Sequence, residues 1–345
     1  MIAESGPIPL AHYMALCLGD AEFGYYTQHE PIGAAGDFVT APEISQMFGE
    51  LIGLWCAVTW RQLGAPAPVN LVELGPGRGT LMKDALRAIE AEPEFSAALT
   101  PHLVETGSRL RETQQQALAG TGAIWHNDLT TLPPGPLLLL ANEFFDALPA
   151  QQYEKCADGW CERQVTYSDD AFQAVLAEAP SALDRAGEVG DVFELAPART
   201  SYMADVAARL NTQGGAALII DYGHVESANG DTLQAVRAHQ AQSIYAEPGL
   251  ADLTSHVDFE ALCEAAVGVQ AHGPVTQASF LCRLGIEARA AALQRSATPE
   301  QAADIGSALQ RLLNPQQMGQ LFKVMAFSPL GSPPPAGFER LEKAS

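Results

Sequence analysis

Basic residues are scarce in this 345-residue chain: 19 Lys plus Arg stand against 41 Asp plus Glu, a formal charge of −22. Phosphate backbones and anionic bilayers repel such a chain, which argues against nucleic acid as a partner. The acidity fits a basic protein partner or plain solubility. Long apolar runs are also missing. The densest, Leu137 to Ala141, falls far short of the ~20 residues of a membrane span, so no membrane insertion is expected. The opening M-I-A-E-S-G-P-I-P-L has neither the basic n-region of a secretory signal nor the Arg- and Ser-rich character of a transit peptide. There are six cysteines and no C-x-x-C, so a disulfide framework is not expected and a reduced cytoplasm is. The sequence contains no internal repeat and sets no oligomeric state.

What is present suits a buried core, with 47% hydrophobic residues. Pro9 to Leu18 reads as a short helix. Thr40 and Glu43 have capping-box spacing ahead of a helix from about Pro42 to Leu63. Short apolar strands then alternate with helices. The strands are Val69 to Leu74, His102 to Glu105, Ala123 to His126, Leu137 to Ala141 and Ala216 to Tyr222. The helices fall near Thr80 to Glu90, Ser108 to Leu118 and Arg199 to Asn211. The alternation predicts an α/β fold with a doubly wound, mostly parallel sheet.

Two stretches interrupt it, at about 151–193 and 225–313. The first holds a hairpin turning at Asp158-Gly159, which would set Cys156 opposite Cys161 as two free thiols. Two sulfurs alone are an incomplete zinc site, and no metal site is expected. The second stretch reads as mostly helical. Leu321 to Phe327 would return as a last strand. The division expected is an N-terminal helical segment or lid over 1–65, a catalytic domain over 66–330 with two insertions, and a flexible tail over 331–345.

The sharpest motif is Glu73-Leu74-Gly75-Pro76-Gly77-Arg78-Gly79, between a strand and a helix. Glycines let the backbone turn tightly and approach a ligand, and the helix start offers it N–H groups. A dinucleotide fingerprint needs G-x-G-x-x-G, which is absent, and no G-K-S/T of a P-loop occurs. An acid followed by G-x-G-x-G is the pattern of class I S-adenosylmethionine methyltransferases. Glu105, at the end of the second strand, would accept from both ribose hydroxyls, and Asp128, after the third, would face the adenine amine. For each acid the structural alternative is a solvated loop carboxylate or a helix cap.

Asn142-Glu143-Phe144-Phe145-Asp146-Ala147-Leu148-Pro149 directly follows the fourth strand. Carboxylates hold a guanidinium by paired hydrogen bonds, and aromatic faces attract cations. Read structurally, the same residues are core phenylalanines and capping acids.

The segments G-D-F-V-T-A-P-E-I-S-Q-M-F-G-E, L-V-E-L-G-P-G-R-G-T-L, N-E-F-F-D-A-L-P, I-I-D-Y-G, D-L-T-S-H-V-D-F and L-F-K-V-M-A, in this order, resemble the MidA-like family from about Tyr13 to Phe327. That family includes the mitochondrial protein arginine methyltransferase that assists assembly of respiratory complex I. The resemblance implies a class I methyltransferase fold, S-adenosyl-L-methionine as cofactor, and a protein substrate bearing a target arginine, such as a complex I subunit. The missing targeting segment is in keeping with a bacterial, cytoplasmic relative. In such an enzyme Glu143 is the first choice to orient the guanidinium and Asp146 the second, with Asn142 holding cofactor or substrate. Asp37 and Phe38 would form a lid. Phe144, Tyr222, His256 and Asp258 would line the substrate cleft. A small-molecule methyltransferase, or a non-catalytic assembly factor that keeps the cofactor pocket, are the alternatives left open.

Overall fold

The computed structural model of the chain describes residue 2 and residues 6–28, 40–237 and 240–339. It divides into two compact units. The first comprises Met1–Phe38, Phe145–Tyr202 and His224–Leu262; the second comprises Val39–Phe144, Met203–Gly223 and Cys263–Ser345. This partition differs from the sequence division at residue 65. The residues from Val39 onward group with the catalytic sheet, because the helix they form is buried along most of its length.

The second unit is built on a sheet whose strands are β1 Val69–Leu74, β2 Leu99–Val104, β3 Ile124–His126, β4 Leu137–Asn142, β5 Gly215–His224, β6 Val269–Thr276 and β7 Phe322–Pro329. Their order is β6-β7-β5-β4-β1-β2-β3. The pairs from β5 through β3 are parallel, and β7 runs antiparallel to both its neighbours. Every residue of β1 and β4 is buried, which is why these strands are mostly apolar with no polar-apolar alternation. In a doubly wound sheet the carboxyl ends of the parallel strands form the ligand crevice, so the residues just after β1, β2, β3 and β4 are the ones to inspect.

The helices of this unit include α1 Gln46–Gln62, α2 Thr80–Ile89 and α3 Ser108–Ala117. Gly49 and Gly53, one turn apart on α1, let its backbone press on α2. A Cβ at Gly49 would lie 2.6 Å from the Asp84 Cβ, and one at Gly53 would lie 2.5 Å from the Ala85 carbonyl. The expected helix from Pro42 is split in two, Ala41–Ile44 and α1. Ser45 is extended, and its hydroxyl accepts from the Met47 N–H to start α1. Thr40 makes no side-chain cap, so the Thr40–Glu43 capping box does not form.

The first unit is largely antiparallel. Strands Gln151–Cys156 and Gly159–Ser168 form the expected hairpin, but its register sets Cys156 opposite Gly159 and Cys161 opposite Glu154. The two-residue turn is Ala157-Asp158, one position earlier than expected, and both cysteines are free thiols. Ile8–Pro9, Ala171–Leu176 and Val192–Leu195 complete that sheet. Gln234–Arg237, Gln240–Gln242 and Asp252–Thr254 form a second one, so the early part of the 225–313 stretch is β rather than helical. Helix Leu10–Gly19 supplies Tyr13, Met14, Cys17 and Leu18 to this unit's core.

The expected flexible tail is ordered as far as residue 339. Phe338 is buried, its ring 5.5 Å from that of Phe280, and Ala336 packs on the same core.

Candidate active site

The glycine loop leaves the end of β1 with Gly75, Gly77 and Gly79 all at positive φ (+58°, +53° and +80°). Only glycine adopts that region without cost. A Cβ at Gly75 would stand 2.8 Å from a ring carbon of Phe144, so this aromatic closes directly over the loop. The Gly79 N–H turns back onto the Pro76 carbonyl at 2.7 Å, and α2 begins at the next residue. Of the N–H groups in its first turn, that of Met82 donates to the Glu73 carboxyl.

Glu73 is the acid at the base of this loop. It is fully enclosed, and burial pushes its carboxyl up to about 8, partly offset by the Met82 N–H. Its Oε2 has no hydrogen-bond partner among the described residues. Glu73 is therefore neutral at physiological pH. The unfolded chain ionises it near pH ~4.3, so between there and about pH 8 the folded state holds the extra proton and stability falls as pH rises, by up to ~1.4 kcal/mol per pH unit. Glu73→Gln is expected to flatten this slope: its melting temperature should exceed that of the wild type near pH 8 and match it near pH 5. Parallel melting curves for both proteins would show Glu73 to be ionised if the slopes coincide.

Glu105 follows β2. Its Oε1 accepts from the Gly107 N–H at 2.7 Å and its Oε2 from Gln114 Nε2 at 3.2 Å. Burial raises its pKa; those donors, the Thr106 N–H and the Arg111 charge act against the rise. The same Gln114 nitrogen donates to the Gly77 carbonyl at 2.8 Å, tying loop and acid together. Asp128, after β3, is half-buried and caps the turn Leu129–Thr131, accepting from the Thr130 N–H at 2.8 Å. The Thr130 hydroxyl and N–H hold its carboxyl below the usual range.

Asn142 ends β4, buried, with Oδ1 unpartnered among the described residues. Glu143 follows at φ +51°, a conformation in which a non-glycine residue is strained and which marks functional positions. Its N–H donates to the Ile220 carbonyl, fixing it to β5. Its Oε1 accepts from the Asn142 amide and from the Ala41 N–H, both at 3.1 Å. Glu43, read from sequence as a capping residue, instead accepts from the Thr80 hydroxyl at the end of the glycine loop. The segment from Thr40 to Ile44 thus bonds both to the glycine loop and to the residue after β4. Tyr222 is buried near the end of β5, edge-on to Phe322 at 5.4 Å, and belongs to the hydrophobic core.

The boundary between the units falls between Phe144 and Phe145. Asp146, His256 and Asp258 belong to the first unit. Asp146 is buried, and its Oδ1 accepts from the Ala147 N–H at 2.9 Å. Asp258 accepts from the Ala261 N–H and the Ser227 hydroxyl. Sequence reasoning missed Arg199, whose buried guanidinium donates to the carbonyls of Asp146, Leu148, Ser255 and His256 and to the Ser255 hydroxyl. It pins Asp146 and Leu148 to Ser255 and His256 within the first unit. Asp37 and Phe38 lie outside the described residues. Among the described residues no group of three or more His, Cys, Asp or Glu is placed to hold a metal ion. No described helix is long and apolar enough to cross a membrane.

The arrangement suits a nucleoside cofactor. Three glycines at positive φ after one strand, an enclosed acid at their base and a carboxylate held after the next strand place a tightly turned backbone and an acceptor for hydroxyls at the same edge of the sheet. Comparison with known proteins agrees. Residues 51–275 match the sequence profile of a family of S-adenosyl-L-methionine-dependent methyltransferases. The chain is 37% identical to the mitochondrial protein arginine methyltransferase NDUFAF7 of Xenopus laevis, covering 99% of this chain and 87% of that protein. It is 34% identical to the human protein of that name over 95% of this chain and 81% of the other. A crystal structure of a superfamily member from Burkholderia thailandensis bound to S-adenosyl-homocysteine superposes with a TM-score of 0.83 at 30% identity, covering 99% of this chain and 93% of that one.

Proposed function

Since the chain belongs to this family of S-adenosyl-L-methionine-dependent methyltransferases, we propose that its methyl acceptor is an arginine side chain of a protein, on a subunit of a complex I-type respiratory enzyme. The observation that carries the arginine reading is Glu143, a carboxylate held after β4 in a strained backbone conformation by two donors on one oxygen. A guanidinium is a planar cation, and a carboxylate meets it with paired hydrogen bonds.

S-adenosylmethionine supplies a methyl group already activated on a sulfonium. What remains for the protein is to place the acceptor in line, exclude water and manage one proton. In this reading Glu105 would take the ribose hydroxyls, the Gly75–Gly79 backbone would hold the cofactor, and Asp128 would serve the adenine amine. Asn142 uses its amide oxygen toward cofactor or substrate. Glu143 orients the guanidinium, localises its charge on one nitrogen and takes the proton that leaves it. Phe144 covers the loop side of the same site. Asp146, His256 and Tyr222 have structural partners and rank below Glu143. The free thiols support a reducing, cytoplasmic location.

A lysate from cells lacking the gene, incubated with the purified enzyme and labelled S-adenosylmethionine, should yield a labelled protein band whose hydrolysate contains methylarginine. Capture of that protein should weaken as salt rises, because a chain of −22 meets a basic surface through screened charges. Label confined to small metabolites or to another side chain overturns the assignment.

A further inference from the structure

We propose that Gln114 is a positioning residue for cofactor binding, holding the Glu105 carboxylate and the Gly77 backbone at fixed separation, with Trp125 dictating which way its amide points. The inference rests on the reading of Glu105 as the ribose acid. Gln114 lies on α3 with none of its surface exposed, whereas Gln115 and Gln116 beside it are exposed. It shares a helix face with the buried Leu110 and Leu118, so helical phase alone turns it inward. The Trp125 Nε1 donates to Gln114 Oε1 at 2.8 Å. An indole N–H can only donate, so the amide oxygen must face Trp125 and both amide hydrogens must face away from it. Those hydrogens meet the Gly77 carbonyl at 2.8 Å and Glu105 Oε2 at 3.2 Å. A Cβ at Gly79 would touch Gln114 at 3.6 Å, which places the loop against this stretch of α3.

The consequence concerns both of Glu105's oxygens. The Gly107 N–H donates to Oε1 and Gln114 to Oε2, with the Thr106 N–H a further donor to the carboxylate, and lone pairs remain for an incoming hydroxyl. Without Gln114, Oε2 loses its donor and the carboxylate is freer to protonate or rotate. The other charged groups about it are Arg111, whose Nε donates to the Glu105 carbonyl at 2.8 Å, and, across β3, His126 with Asp128 beyond it.

The sign of the pH dependence separates positioning from mere packing. In the wild type, Glu105 serves ribose as a carboxylate, so affinity is kept at high pH and lost as pH falls through its pKa. In Gln114→Glu a second carboxyl faces Glu105 and the Gly77 carbonyl, and only when protonated can its single O–H donate to one of them. Its affinity should therefore be best at low pH and fall as pH rises, the reverse slope. Gln114→Met keeps the volume and removes both donors; S-adenosyl-homocysteine affinity should fall at least ~10-fold, the loss of a buried hydrogen bond to a charged group. Trp125→Phe frees the amide to flip and should weaken binding by at least ~3-fold with Gln114 intact, which tests the clamp even if Gln114→Met fails to fold.

The measurement is calorimetric titration of the full chain with S-adenosyl-homocysteine from about pH 5 to about pH 8, beside melting curves without ligand. Glu105→Gln serves as control. If Glu105→Gln binds as the wild type does, the ribose reading fails. If Glu105→Gln is weak while Gln114→Glu shows the wild-type pH slope and Trp125→Phe binds normally, the ribose reading stands and the positioning role of Gln114 is overturned.

Discussion

Glu143→Gln is expected to bind S-adenosyl-homocysteine normally and to lose at least ~100-fold in single-turnover methyl transfer, the lower end of what a positioned acid–base group contributes. The anchoring explains why this substitution is clean. The Ala41 N–H and the Asn142 amide both donate to the same oxygen, Oε1, and a glutamine oxygen accepts both. The shape and the clasp to residue 41 survive; the negative charge does not. A neutral amide presents an NH2 where the guanidinium requires an acceptor, so the acceptor arginine loses its orientation while the cofactor side of the crevice is untouched. Asp146→Asn should cost far less, because the bond from the Ala147 N–H to Oδ1 is one that asparagine retains. If both acids were only structural, melting temperature and activity would fall together. Full turnover by a stable, cofactor-binding Glu143→Gln protein would remove Glu143 from the mechanism and with it the chief reason to favour arginine.

The second large effect falls on the cofactor. Gly77→Val should abolish measurable S-adenosylmethionine binding, a loss of at least ~100-fold, in a protein that still folds. Gly77 sits at φ +53°, a region that costs an L-residue ~1–2 kcal/mol and a β-branched one more. A domain with ~5–15 kcal/mol in hand survives that. The loop, however, must move to relieve the strain, and its carbonyl is pinned to Gln114. Two isopropyl methyls also enter the space where loop and ligand approach. Near-native affinity by calorimetry, in a variant with a normal melting transition, would detach this loop from the cofactor.

The central sheet was legible in the sequence because β1 and β4 are enclosed on both faces and are mostly apolar. Glu73 and the three glycines were legible for a related reason: the chain must turn sharply where a strand meets a helix. β6 was not. Its V-Q-A-H-G-P-V-T run is half polar, carries a bulge between His272 and Val275, and lies at the sheet edge, where proline and irregular alternation are tolerated. The short strand Gln240–Gln242 is exposed throughout and offers no periodicity to read. The proline-rich tail has the composition of a loose end, yet one aromatic, Phe338, anchors it. The site residues that escaped notice share one property. Gln114, Glu43 and Arg199 act through partners 37, 37 and up to 57 positions away, and nothing in a linear pattern names those partners.

The place of β7 has a consequence for how the chain is made. It is the last strand, yet it lies inside the sheet, between β6 and β5. β5 emerges from the ribosome about 100 residues before β7 begins, so at ~5–20 residues per second its edge stands open for roughly 5–20 s. During that interval β6 also lacks its partner. Unpaired strands on neighbouring nascent chains of one polysome are templates for each other. Translation speed and chaperone supply between β5 and β7 therefore bear on how much of the chain reaches its fold. A nonsense codon between Thr276 and Phe322 leaves both edges open for good, and its product is expected to aggregate rather than to act as a slightly shortened enzyme.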